Sequence, residues 1–273
     1  MTRAAPEDFA LVAELYDQDM AGNNLVHDLV YPRVYGPGEY IGQFSDNSAA
    51  ELRALAAAMD LPPESAVLDI GCGTAPVAAF LATELGWRIT GIDVAASPLR
   101  KAAERLAEHG LTERVGLAHG DVYRHAFDRP FDGIYGTGAF CHFDPVRLFA
   151  RCHELLRPGG RLAFMERVRT GELTEREWRQ LTVEWACPTV NTVAEYRSAL
   201  AGAGFEVDLV RDLTPTFRDW QDRSVVVRHE LKAEIIALTS AEYFETSVRL
   251  ADYENAVTKA GKLGYALITA TAR

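Results

Sequence analysis

The sequence is short of positive charge, poor in cysteine and without a long apolar run, and each shortage removes a class of protein. Its 28 lysines and arginines face 39 aspartates and glutamates, a formal net charge of −11 over 273 residues. An acidic surface repels a polyphosphate backbone, which argues against a nucleic-acid partner. No stretch of about 18 apolar residues occurs, the length a helix needs to span a bilayer. The N-terminus lacks a basic region followed by an apolar one, so a cytoplasmic location without a secretory leader is expected. The four cysteines, Cys72, Cys141, Cys152 and Cys187, form no C-x-x-C pair and show no zinc-type spacing. Reduced thiols and no metal site are therefore expected. The G-x-S-x-G elbow of hydrolases and the Lys–Tyr pairing of dehydrogenases are also missing. No internal repeat or low-complexity tract is visible. What is present is 48% hydrophobic composition, ample for a packed core in one domain with insertions.

The chain is organised around Val67 to Ala75. Ala66 to Ile70 is a short apolar run with β-branched residues, which reads as a fully buried strand. The Gly71-Cys72-Gly73 turn that follows lets a ligand approach the backbone closely. Pro76 suits the first turn of a helix, and Val77 to Leu85 carries helical apolar spacing. Strand, glycine turn and helix make the first unit of a nucleotide-binding α/β sheet, with ligand-facing amides at the helix start. Arg88 to Asp93 reads as a second strand ending in a carboxylate, suited to accept hydrogen bonds from ribose hydroxyls. A dinucleotide enzyme also carries an acid there. Its third glycine, however, is replaced here by Pro76, which removes an amide from the helix start and disfavours a pyrophosphate.

These residues resemble class I S-adenosylmethionine-dependent methyltransferases. Val67 to Ala75 looks like that family's first motif, commonly V-L-D-x-G-C-G-T-G, with Ala75 in place of the usual glycine. Gly91-Ile92-Asp93 resembles the ribose-binding strand end, Gly120-Asp121-Val122 the adenine-binding acid and its neighbour, and Leu155 to Leu162 the turn before the fifth strand. The resemblance covers residues 60–212, and the remainder in outline. It implies a Rossmann-like α/β fold: a seven-stranded, mostly parallel sheet whose strand 7 runs antiparallel. It implies S-adenosyl-L-methionine as cofactor, with S-adenosyl-L-homocysteine as product. The cofactor-binding residues it implies are Asp69, Gly71, Cys72, Gly73, Asp93, Val94, Asp121, Val122, Gly136 and Thr137.

Outside the motifs, Phe9 to about Met20 has helical spacing, and Gly22-Asn23-Asn24 predicts a break. From Leu25 to Gln43, Tyr31, Tyr35 and Tyr40 alternate with prolines and glycines. That pattern suits a lid over a small ligand as well as plain packing. Small-molecule methyltransferases carry a similar stretch, which favours the lid. Ser48 to Met59 reads as a helix, and Ser97 as the N-cap of another from Pro98 to His109. Strands are expected at 115–119, 131–136, 161–167, 205–210 and 265–271. Thr214 to Gly261 holds two helical patterns and is too long for a bare loop, so a helical cap is expected over the active-site end. The division is residues 1–60 as lid segment, 61–213 with 261–273 as core, and 214–260 as cap. The arginines at 157, 161, 167 and 169 read as solvated helix ends and strand edges in preference to a phosphate site.

Methyl transfer from a sulfonium needs chiefly an acceptor atom held about 3 Å from the methyl, on the side away from sulfur. A base matters only if the acceptor's proton must leave early. His142, just beyond the fourth strand, is the candidate base or orienting group, with a structural histidine the competing reading. Glu166, ending the fifth strand, is expected to face the same cleft, or to pair with Arg167 or Arg169. Glu184 and Trp185 are candidates for an amine, a carboxylate beside an aromatic face. An amphipathic helix face is the favoured reading of the two. The expected function is O- or N-methylation of a small organic metabolite, in outline like the sarcosine/dimethylglycine and natural-product methyltransferases. Two alternatives stay open. One is C-methylation of a prenyl diphosphate, which would need a metal or arginines such as Arg218, Arg223 and Arg228. The other is cofactor binding without transfer.

Overall fold

The computed structural model describes residues 9–183 and 185–273, with backbone alone at 18–24. Seven strands form one sheet among the described residues: β1 (Ala66–Ile70), β2 (Arg88–Asp93), β3 (Val115–His119), β4 (Phe131–Thr137), β5 (Leu156–Arg169), β6 (Phe205–Asp212) and β7 (Leu263–Ala272). Their order is β3-β2-β1-β4-β5-β7-β6. The first five run parallel, and β7 is antiparallel to both neighbours. This is the Rossmann-like arrangement that the motifs imply. β1 is buried along its whole length because helices cover both sheet faces there, which is why it reads as an unbroken apolar run. The strand order reverses between β1 and β4, so a crevice opens beyond their C-terminal ends.

The remaining elements are α1 (Phe9–Tyr35), α2 (Ala49–Met59), α3 (Pro76–Leu85), α4 (Ala96–Glu108), α5 (Pro145–Leu155), α6 (Glu175–Val183), α7 (Val193–Gly202), α8 (Thr214–Glu230), α9 (Lys232–Leu238) and α10 (Ala241–Lys259). One sheet face packs Val67 and Tyr135 against Leu55 of α2, Leu81 of α3 and Leu106 of α4. The other packs Leu68 and Phe164 against Phe149 of α5 and Tyr196 of α7. A third cluster holds α1 to the helices between β6 and β7: Val26, Val30 and Val34 meet Trp220, Val227 and Leu231, with Phe244 of α10. Among the described residues no helix is long and apolar enough to cross a membrane.

Two local readings are corrected. The break expected at Gly22-Asn23-Asn24 does not form, and α1 runs on to Tyr35 with Pro32 inside it. Glycine and asparagine cost a helix only about 0.5–1 kcal/mol each, less than burying Val26, Val30 and Val34 returns. The second is α4, which begins at Ala96 with Ala95 as N-cap and no side-chain cap. Ser97 lies inside the first turn, and its N–H donates to the Asp17 carboxylate of α1 at 2.7 Å. A tertiary partner thus does the capping that the sequence assigns to Ser97. Three of the four arginines behave as sheet and helix ends, whereas Arg167 lies in the cavity wall beside Asp46 and Glu254. Arg157 pairs with Asp132, Arg161 with Asp208, and Arg169 with Glu195.

Candidate active site

The crevice deepens into a cavity of about 410 Å³, walled by strand ends on one side and by α1, α8 and α10 on the other. That size falls in the usual range for a small-molecule site, roughly 300–1,000 Å³. At the strand end, Asp69, Gly71, Cys72 and Gly73 line it with Asp93 and Val94 from β2, and Asp121 and Val122 beyond β3. Gly71 has φ +75°, and a Cβ there would meet Ala139 Cβ at 2.5 Å, so only glycine lets the loop pass beneath the strand 4 turn. Ala75, which stands where the family has glycine, also adopts a left-handed φ of 55°.

Each acid at this end already has local partners. The Asp93 carboxylate accepts N–H donors from Gly73 at 2.8 Å and Ala95 at 2.9 Å. A carboxylate offers about four acceptor positions, so capacity remains for two ribose hydroxyls. Asp69 accepts the Tyr135 hydroxyl at 2.9 Å. Burial pushes its carboxyl up to about 7, against the pull of that hydrogen bond. Asp121 accepts the Tyr123 N–H at 2.9 Å, closing its own turn. The ring of glycine backbone, the half-buried Asp93 carboxylate and an apolar Val122 have the chemistry to fit an adenosyl group.

Thr137 reaches the wall; Gly136 does not. Its missing Cβ would lie 2.1 Å from Phe140 Cε1, so Gly136 serves the packing of the turn Phe140–His142 behind the wall. His142 lines the cavity and is buried. Its Nε2 lies 3.1 Å from Tyr16 Oη, and its Nδ1 lies 3.2 Å from the Ala186 carbonyl. Burial alone would lower its pKa, but Cys141 beside it, the Ala186 carbonyl and Glu166 carry it up to about 9. Cys141 is itself drawn down by a hydrogen bond from Cys187, against burial and with help from His142.

Ligand atoms of Cys141, His142 and Cys187 lie within 4.8 Å of one another, all buried. Two sulfurs and an imidazole are the donor set of a soft divalent metal with one open position. Linear spacing hides this trio, because Cys187 comes from the loop after α6 and Cys141 from the turn after β4.

Glu166 stands one layer behind the expected position. It is 1% exposed, lies off the cavity wall, and accepts N–H donors from Cys141 and Arg167, both at 2.9 Å. Burial pushes its carboxyl up to about 8. It props the turn that carries His142 and does not face the crevice.

The far wall gathers residues that no motif marks. Arg167 pairs with Asp46 at 3.4 Å and Glu254 at 2.5 Å, and its guanidinium lies 5.0 Å from the Trp185 ring centre. Trp185 therefore meets a cation supplied by the chain itself. Glu184, named with it, lies outside the described residues. Of the three tyrosines, Tyr31 lines the cavity. Tyr35 donates to the Ser45 carbonyl and Tyr40 to Asp28, both off the wall. Gln221 and Arg228 of α8, and His27 of α1, complete this end. A polar residue recurring on an otherwise apolar helix stripe was the signal available for the α8 pair.

Residues 67–160 match the model of a methyltransferase domain family. Along nearly its whole length the chain is similar to the 27-O-demethylrifamycin SV methyltransferase of Amycolatopsis mediterranei (strain S699): 26% identical over 286 residues, 99% of this chain and 98% of that one. It is 29% identical over 155 residues to methyltransferase phqN of Penicillium fellutanum, covering 54% of this chain and 48% of the fungal protein. The chain spans less than half the length of several such curated relatives. In fold it is similar to phosphoethanolamine N-methyltransferase 2 of Haemonchus contortus, solved with phosphomonomethylethanolamine and S-adenosylhomocysteine. The TM-score is 0.82 at 19% identity, over 98% of this chain and 61% of that one. The glycine turn, the acids at successive strand ends and these likenesses agree: residues 67–160 carry a methyltransferase domain, and the chain is similar to a methyltransferase along nearly its whole length.

Proposed function

We propose that the protein transfers the methyl group of S-adenosylmethionine to an oxygen or nitrogen of a small organic metabolite. One observation carries this: the motif residues and the cap helices wall the same cavity, so donor and acceptor share one enclosed space. The cofactor supplies an already activated methyl on a sulfonium. The chain's own work is then to bind, align and take up a proton. Gly71 and Gly73 bring backbone to the methionine and ribose, Asp93 holds the ribose hydroxyls, and Asp121 with Val122 holds the adenine. The acceptor's proton passes to the Tyr16 hydroxyl as that hydroxyl gives its own to His142 Nε2, while the Ala186 carbonyl holds Nδ1 and fixes the ring. In this reading residues 1–60 and 214–260 form lid and cap on a core of 61–213 and 261–273, and the protein acts without nucleic acid.

Prenyl diphosphate C-methylation loses its support. Of Arg218, Arg223 and Arg228, Arg228 alone lines the cavity, while the other two are exposed. A single cation is too little for a diphosphate in a buried site. A screen with labelled methyl donor over phenols, alcohols, amines and prenyl diphosphates, with and without Mg²⁺, tests the proposal. Turnover on a phenol, alcohol or amine is expected. Turnover confined to prenyl diphosphates and dependent on Mg²⁺ would overturn it, as would tight S-adenosylhomocysteine binding with no transfer to any class.

A further inference from the structure

Helix α8 carries Trp220, Gln221, Ser224 and Arg228 on a single face, since steps of one, four and eight residues stay within about 100° of helical rotation. All four are buried, and all four line the cavity. Yet Trp220 Nε1, Arg228 Nε and both amide atoms of Gln221 have no hydrogen-bond partner and no contact with solvent. Among the described residues no carboxylate pairs with Arg228. Folding has stripped these groups of water and returned nothing, a loss that persists only where something else supplies the bonds. The residues that carry these atoms all line one cavity, the space that the methyl acceptor occupies in the reading above.

Resting on the methyl-transfer reading above, we propose that this stripe is a subsite for a carboxylate on the methyl acceptor. The Arg228 guanidinium receives the carboxylate oxygens, and the Trp220 and Gln221 N–H groups supply further donors. The Gln221 carbonyl accepts from a hydroxyl or N–H neighbouring that carboxylate. The donor set is chosen for oxygen. Arg228, the indole N–H and the amide N–H₂ all donate, and a planar guanidinium matches a planar carboxylate.

The charge count selects a monoanion. Arg167, the other cation on this wall, is already claimed by Asp46 and Glu254, and burial pushes both carboxyls up, Asp46 to about 7, so that the trio holds one shared proton and adds no net charge. His27 is held neutral, since burial and the nearby Arg228 both lower its pKa. One free positive charge balances one negative charge, and leaves a phosphate dianion half unpaired in a desolvated site. The Tyr31 and Trp220 rings beside the stripe, 5.4 Å apart, provide flat apolar surface for the acceptor's body.

Titration of phenyllactate and of phenyllactamide into the protein preloaded with S-adenosylhomocysteine tests this, with binding followed by ligand-observed NMR. The acid is expected to bind at least tenfold more tightly than the amide. Arg228→Met should abolish that preference, and Gln221→Leu should weaken the acid severalfold. Both variants should keep S-adenosylhomocysteine affinity within twofold and melt at or above the parent temperature, because each removes an unsatisfied polar group. Equal binding of acid and amide to the parent protein would overturn the subsite. So would variants that melt lower and bind the acid as before, which would make the stripe structural. Failure of the parent to bind S-adenosylhomocysteine at all would instead overturn the methyl-transfer reading beneath it.

Discussion

The two ends of the cavity are built on opposite principles. At the strand end every acid is answered by its own neighbourhood: Asp93 by the Gly73 and Ala95 amides, Asp121 by the Tyr123 amide, Asp69 by the Tyr135 hydroxyl. At the cap end Trp220, Gln221 and Arg228 keep polar atoms that nothing in the chain satisfies. A finished pocket is rigid before its ligand arrives, which suits a cofactor that never changes. An unfinished one gains its bonds only from the right acceptor, which suits specificity, because a wrong ligand leaves those atoms orphaned. His142 sits between the two ends, and the contrast can be tested from there outward.

The largest effect belongs to the junction. His142→Ala should lower kcat by about 10²–10⁴ if the imidazole takes up the acceptor's proton through Tyr16. Its affinity for S-adenosylhomocysteine should stay unchanged, since the ring is bonded to Tyr16 and Ala186. With a pKa near 9, His142 is mostly protonated at neutral pH and becomes a base only as pH rises. The rate should therefore climb with pH through a midpoint near 9, and that limb should vanish in the variant. An unaltered kcat would show that proximity alone drives transfer.

The finished end should respond in binding. Asp93→Ala removes about two charge-assisted hydrogen bonds to the ribose and should cost roughly 2–4 kcal/mol of cofactor affinity by calorimetric titration. Arg228→Met, by contrast, should leave that affinity alone. If both variants lose it equally, the two ends are one coupled site and the contrast fails.

Glu166 sharpens the boundary. Its carboxyl is raised to about 8 when folded, above its ordinary unfolded value near 4.5, so the folded state holds the proton more tightly. Its stabilising contribution is complete below the unfolded value and is lost as pH rises through 8, by roughly a few kcal/mol. Glu166→Gln mimics the protonated form. It should flatten the fall in melting temperature across that window and change kcat at pH 7 by less than about tenfold, the behaviour of a positioning residue. A loss as large as that of His142→Ala would return Glu166 to the reacting atoms.

The smallest effect is at the turn. Ala75 pays a left-handed backbone cost that glycine avoids, offset in part by glycine's freer unfolded chain. Ala75→Gly should therefore raise stability by no more than about 1 kcal/mol. A clear loss on thermal denaturation would mean that the methyl of Ala75, which is fully buried, outweighs the strain.

The sequence by itself determined the sheet and its cofactor end. Each of those features is written in consecutive residues. An apolar run makes β1, Gly71-Cys72-Gly73 makes the turn, and a carboxylate closing β2 makes the proposed ribose site. Parallel strands of alternating βα units then bring successive strand ends to one edge without further instruction. The tertiary structure alone decided the rest. Helix α1 runs through Gly22-Asn23-Asn24 because its far half finds α8, which no local propensity foretells. Glu166 faces backwards because Cys141 and Arg167 offer amides there. Cys141 and Cys187 meet around His142 from distant segments, and Gln221 and Arg228 become a site only when the cap folds over the crevice and shuts out water. Local order follows from backbone sterics and periodicity, whereas these groups owe their chemistry to burial, and burial is a property of the packed chain.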